Sequence, residues 1–154
     1  MKKVFQSIMI LTAFAVLFVP NLAQSHCQIP CGIYDDEARF TELLEHCTTI
    51  EKSMKEINKL SADGDKNYNQ LVRWVNNKEQ HADKLADIVV DYFMVQRIKE
   101  VASGMDGYQM YLDKVTVLHK ILRTAMKCKQ TTDIDNVTTM RQDIGKFKEL
   151  YSGK

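Results

Sequence analysis

The chain has 154 residues, room for one domain of ordinary size once any targeting segment is set aside. Its 21 basic and 20 acidic residues leave a formal charge of +1, which argues against a dedicated nucleic-acid binder and its usual basic excess. A hydrophobic fraction of 45% supports a buried core and excludes disorder by composition.

Residues 1–25 read as a secretory signal peptide. Lys2 and Lys3 make a basic start, Ile8 to Val19 is an apolar run broken only by Thr12, and small residues mark a cleavage site at Ala23-Gln24-Ser25. Twelve residues, from Ile8 to Val19, at about 1.5 Å rise fall short of a hydrocarbon core of about 30 Å, so a retained anchor is the weaker reading. Gln24-Ser25-His26 ahead of Cys27 does not fit a lipoprotein signal. Cleavage after Ser25 predicts an exported protein, periplasmic or secreted, with no membrane attachment afterwards. It also makes His26 the terminal residue.

The next peptide, His26-Cys27-Gln28-Ile29-Pro30-Cys31-Gly32-Ile33-Tyr34, has no helical period. In an exported protein two cysteines four apart are first read as a disulfide, with a metal pair or incidental thiols as the alternatives. Pro30 stops a helix and Gly32 tolerates positive φ, so the backbone can curl Cys31 back toward Cys27. A free His26 brings four donors together: its α-amine, its imidazole, and the backbone nitrogen and thiolate of Cys27. Amine to backbone nitrogen closes one five-membered chelate ring, and backbone nitrogen to thiolate closes another. Cys31 supplies a second thiolate, completing an N2S2 square plane that His26 can approach axially. Such a plane suits Ni(II) or Cu(II), whereas zinc prefers four side chains in a tetrahedron.

No proline follows Pro30, as long helices require, and an all-β sandwich or a glycine-rich nucleotide-binding domain fits poorly. Phe40, Leu43, Cys47, Ile50, Met54 and Ile57 recur at steps of three and four, with Asp35 or Asp36 available as a cap and Ser61 to Asn67 as the stop. Leu71, Val75, Ala82, Leu85, Val89 and Tyr92 form a second seam, interrupted at Lys78, which either runs on through Ile98 or breaks near Asp91-Tyr92-Phe93. Ser103 to Gly107 is the next turn. Tyr108, Tyr111, Val115, Leu118, Leu122 and Ala125 make a third seam, and Val137, Met140, Ile144 and Phe147 a fourth beyond the polar break at Lys129 to Asp133. The predicted fold class is all-α: an antiparallel up-and-down four-helix bundle over residues 35–154, with an irregular N-terminal metal-binding hook at 26–34.

The order His-Cys-x-x-Pro-Cys-Gly-x-Tyr at a processed terminus resembles the nickel-binding hook of nickel superoxide dismutases, through His26, Cys27, Pro30, Cys31, Gly32, Tyr34 and Asp35. Beyond the hook the likeness is thin, mainly Lys78-Glu79-Gln80 and Asp91-Tyr92-Phe93. The resemblance implies dismutation of superoxide to dioxygen and hydrogen peroxide by Ni(II)/Ni(III) cycling, with one nickel ion per chain. It implies His26, Cys27 and Cys31 as metal ligands, and His26 and Tyr34 as catalytic residues, Tyr34 guarding the open face. It also implies a homohexamer as the assembly and neither nucleic acid nor membrane as a partner.

This chain departs from the family pattern at Gln28, where Asp is common. It also has His81 after Lys78-Glu79-Gln80, where an arginine bracing the axial histidine is expected. Glu42, or Thr41 in the alternative register, takes the place of the bracing glutamate, and Tyr92 that of a related tyrosine, though its seam position favours core packing. Two rival readings remain: an exported nickel- or copper-binding protein without catalysis, and a helical interaction domain with Cys27 bonded to Cys31. A Cys47–Cys128 disulfide is left open. His46 and His119 read as structural or solvent-facing, and Asn136-Val137-Thr138 is a glycosylation sequon.

Overall fold

A computed structural model describes residues 36–63 and 66–153; the predicted signal peptide and the hook at 26–34 lie outside the described residues. Four helices account for nearly all of the described chain. They are α1 (Asp36–Ala62), α2 (Tyr68–Asp87), α3 (Tyr108–Gln130) and α4 (Asp135–Ser152), and there is no strand among the described residues. α2 does not break near Tyr92; it continues as a π-helical segment, Ile88–Arg97, and stops at Ile98. Each helix lies against two others, α1 on α2 and α4, and α3 on α2 and α4, so one core is enclosed by a ring of four, as in a four-helix bundle.

The core follows the seams closely on two helices. Phe40, Leu43, Cys47, Ile50, Met54 and Ile57 of α1 are all buried, as are Val137, Met140, Ile144 and Phe147 of α4. On α3 the buried stripe is Val117, Leu118, Ile121, Thr124, Ala125 and Cys128. Tyr108, Tyr111, Val115 and Leu122 are only half-buried, so the stripe is rotated from the expected seam toward Ile121 and Cys128. In α2 the burial begins late, at Lys78, Ala82 and Leu85, then continues through Val89, Tyr92 and Phe93.

Lys78 explains the gap in the second seam. Its side chain is only 3% exposed, yet its ammonium is not stranded. It donates to the carbonyl of Cys128 at 2.7 Å, to that of Lys129, and to Glu79 at 3.0 Å. Those carbonyls belong to the last turn of α3, where intrahelical partners run out and a cation is favoured by the helix dipole. A lysine at an apolar position therefore caps a neighbouring helix.

At the other end of the core four aromatic rings meet. Phe93 lies 5.0 Å from Phe40 and 4.9 Å from Phe147, and Tyr151 packs edge-on to Phe93 at 5.7 Å. Phe93 is fully buried at the centre of this group. Truncating such a ring removes transfer free energy and leaves a cavity, so Phe93→Ala is expected to cost about 3–5 kcal/mol. Urea unfolding checks this, and a loss below about 1 kcal/mol, the cost of a mild core swap, would show the cluster to be loosely packed.

Candidate metal centre

The predicted ligands His26, Cys27 and Cys31, and Tyr34 beside them, lie outside the described residues. What is described is the end of the bundle they lead into, because the chain enters α1 at Asp36. The Asp36 carboxylate is not a cap; it is gripped from two other elements. Tyr92 donates its hydroxyl to Oδ1, Tyr151 donates to Oδ2 at 2.7 Å, and Arg97 Nη2 reaches Oδ2 at 2.5 Å. Arg97 Nε also donates to the Tyr151 hydroxyl oxygen at 3.1 Å. Burial alone would raise the Asp36 carboxyl, but the bonds from Arg97, Tyr92 and Tyr151 outweigh it and hold it below the usual carboxylate range. Burial and then the bond to Asp36 push the Tyr92 phenol up to about 12. Tyr92 thus packs in the core and also carries a polar task at its tip.

Arg39, one turn into α1, lies over the Tyr92 ring at 5.5 Å and pairs with Glu42 at 2.5 Å. Its Nε is buried without a hydrogen-bond partner among the described residues. Glu42 (or Thr41) and His81, the residues standing where the family braces its axial histidine, hydrogen-bond to different partners. Glu42 holds Arg39, Thr41 donates to the Glu37 carbonyl, and His81 meets His46 with the two Nδ1 atoms 2.9 Å apart.

The His46–His81 pair is the polar contact that seam counting missed, because the two residues lie on different helices and each looks solitary in sequence. One ring must donate and the other accept. Burial keeps the His46 imidazole below its ordinary value against the pull of Glu42, and burial, then His46 itself, does the same to His81. Both bases are depressed in the fold, so the unfolded chain takes up protons first as pH falls below about 6.5, and stability is lost in that direction. The thermal midpoint should fall between pH 7 and pH 5, and fall less in a His46→Gln/His81→Gln variant. Equal slopes in the two proteins would remove the pair from the acid response.

The sulfur chemistry separates into two classes. Cys47 and Cys128 are free and buried, so the disulfide left open by the sequence is not formed. Burial pushes the Cys47 thiol up to about 12 and the Cys128 thiol up to about 11, the latter against the pull of Lys78. A thiol that resists ionisation is a poor metal ligand. Among the described residues no group of three or more His, Cys, Asp or Glu side chains converges to hold a metal. Cys27 and Cys31 lie outside the described residues; a donor set of two thiolates with an amine and an imidazole, as their sequence would offer with His26, is of the kind that suits a late first-row ion.

Neither a curated protein nor a solved structure matches the chain. The family model of nickel-containing superoxide dismutase matches residues 21–154, spanning the hook and every helix described above. The chain belongs to the nickel-containing superoxide dismutase family, whose members are oxidoreductases with a nickel cofactor.

Proposed function

We propose that this chain is an exported superoxide dismutase, periplasmic or secreted, that holds one nickel ion per chain through His26, Cys27 and Cys31 after removal of residues 1–25. The observation that carries the reading is the family match over residues 21–154, taken with the unbroken hook motif inside it. Four helices run up and down as an antiparallel bundle in this reading. The pairing of Asp36 with Arg97 and Tyr151, of Ser53 with Asn77, and of Glu51 with Arg141 supports that sense. Family likeness further suggests a homohexamer.

When bound, nickel supplies a one-electron store between Ni(II) and Ni(III); over a turnover two superoxide anions and two protons give one dioxygen and one hydrogen peroxide. The protein's part is to make that store accessible. Thiolates from Cys27 and Cys31 and the His26 donors place enough electron density at the site to bring the higher oxidation state within reach. The amine and thiolates are ionisable, so the site assembles with loss of protons. The Tyr34 phenol orders superoxide or water by hydrogen bonding.

Intact mass and nickel analysis of the exported protein test the reading. Processing after Ser25 and close to one nickel per chain are expected, and the fully reduced protein should take up Ni(II). A reduced chain that binds no nickel would return Cys27 and Cys31 to the disulfide reading; nickel bound without catalysis would favour a carrier.

A further inference from the structure

We propose that Asp36 and the groups closing on it form a socket that fixes where the hook leaves the bundle, making Asp36 and Arg97 positioning residues for the metal centre. This inference rests on the hook reading above.

Asp36 is the first residue of α1, two residues after Tyr34 and five after Cys31. Fully extended chain covers about 3.3–3.6 Å per residue, which keeps Tyr34 within about 7 Å of Asp36 and Cys31 within about 18 Å. Wherever Asp36 is held, the hook begins. A helix start normally frays, and an acidic residue there is already favoured by the dipole without further help. This one takes Tyr92 and Arg97 from the π-helical segment and Tyr151 from α4. Three donors from two elements exceed what a helix start needs.

The π-helix supplies the reason that two of those donors reach one carboxylate. Tyr92 and Arg97 are five residues apart. At 3.6 residues per turn they would point roughly 140° away from each other. In a π-helix the backbone bonds run from residue i+5 to residue i and each turn holds more than four residues, so positions five apart lie much closer in direction than they do in an α-helix. Ile98 N–H bonding to the Phe93 carbonyl at 2.9 Å shows that spacing at the end of the segment. Arg97 and Arg39 both lie over the Tyr92 ring, at 5.8 and 5.5 Å, so the phenol is held at its ring by two guanidinium groups as well as at its hydroxyl. Long π-helical runs are rare and tend to mark functional positions. The conversion of α2 at Ile88 here has a concrete result: it aims a phenol and a guanidinium at the base of the hook.

The test uses the processed protein, residues 26–154, as wild type, Asp36→Ala, Arg97→Met and the conservative Arg97→Lys. Three readouts follow the hook itself: amide exchange of residues 27–35 in the metal-free protein, nickel release to excess chelator, and the paramagnetic-resonance spectrum of the oxidised form. In Asp36→Ala and Arg97→Met, exchange and nickel release should each quicken by about tenfold or more, the scale on which residues supporting a ligand act. The single oxidised-nickel spectrum should split into several species, and Arg97→Lys should recover part of each change. Arg97→Met leaves the α1 backbone and Asp36 in place, so it reports even where Asp36→Ala folds poorly. Exchange that rises equally throughout α1 and α4, with no greater rise at 27–35, would make the network a fold stabiliser and overturn the socket. Unchanged exchange, release and spectrum in both variants would do the same. A wild-type protein that binds no nickel, while exchange at 27–35 still rises in the variants, would defeat the functional reading and leave the socket standing.

Discussion

Extending the processed chain by one glycine before His26 is expected to abolish catalysed superoxide decay while leaving helicity and the thermal midpoint unchanged. The extension turns the His26 α-amine into an amide, which gives up its proton far less readily and no longer closes the same first chelate ring. It also carries the imidazole one residue away from the terminus. Residues that merely support a metal ligand are worth 10–100-fold, so losing a ligand should cost at least about a hundredfold. The bundle is unaffected because the described core begins at Phe40, well beyond the hook. Stopped-flow superoxide decay checks the rate, and intact mass must show that the extra residue is still present. Full activity in the verified extended protein would contradict coordination by the terminal amine.

The second large effect is expected from Cys27→Ser and from Cys31→Ser. A serine hydroxyl is a far weaker acid than a thiol and a harder donor, so at neutral pH it neither ionises readily nor gives the density that a thiolate gives. Each substitution should reduce catalysis to the uncatalysed background. Cys27 also shares a chelate ring with its own backbone nitrogen, so its loss should weaken nickel retention more than the loss of Cys31. Cys47→Ser and Cys128→Ser are the controls: these thiols are fully buried, and their replacement should change stability rather than the nickel content of folded protein. Wild-type turnover in either hook variant would remove that cysteine from the site.

Seams on α1 and α4 were legible because each packs one narrow stripe against the core, and the three-and-four spacing records that directly. α3 was legible in extent but not in rotation. Its tyrosines at 108 and 111 continue the apolar count, yet at the helix start they are half-buried beside the turn, and the deep stripe falls on Ile121 and Cys128. Lys78 broke its seam for a reason no periodicity encodes, the capping of a helix about 50 residues away in sequence. The continuation of α2 past Tyr92 was visible as an ambiguity, but its π geometry was not, because the apolar pattern is compatible with either winding. The His46–His81 contact, and the meeting of Asp36 with Arg97 and Tyr151, are tertiary events between residues that each carry an ordinary helical reading. The hook is the reverse case: the expectation for it rests on contiguous residues alone, since chelate rings formed by neighbours need no fold to specify them, and residues 26–34 lie outside the described residues.

The most direct test of the central claim is pulse radiolysis of superoxide decay on residues 26–154 with a free His26 amine, loaded with Ni(II) or with Zn(II). Catalytic decay that scales with bound nickel and is absent with zinc is the expected result. Decay no faster than the uncatalysed reaction, in protein shown to hold nickel and to carry His26 at its terminus, would contradict the assignment of this chain as a superoxide dismutase.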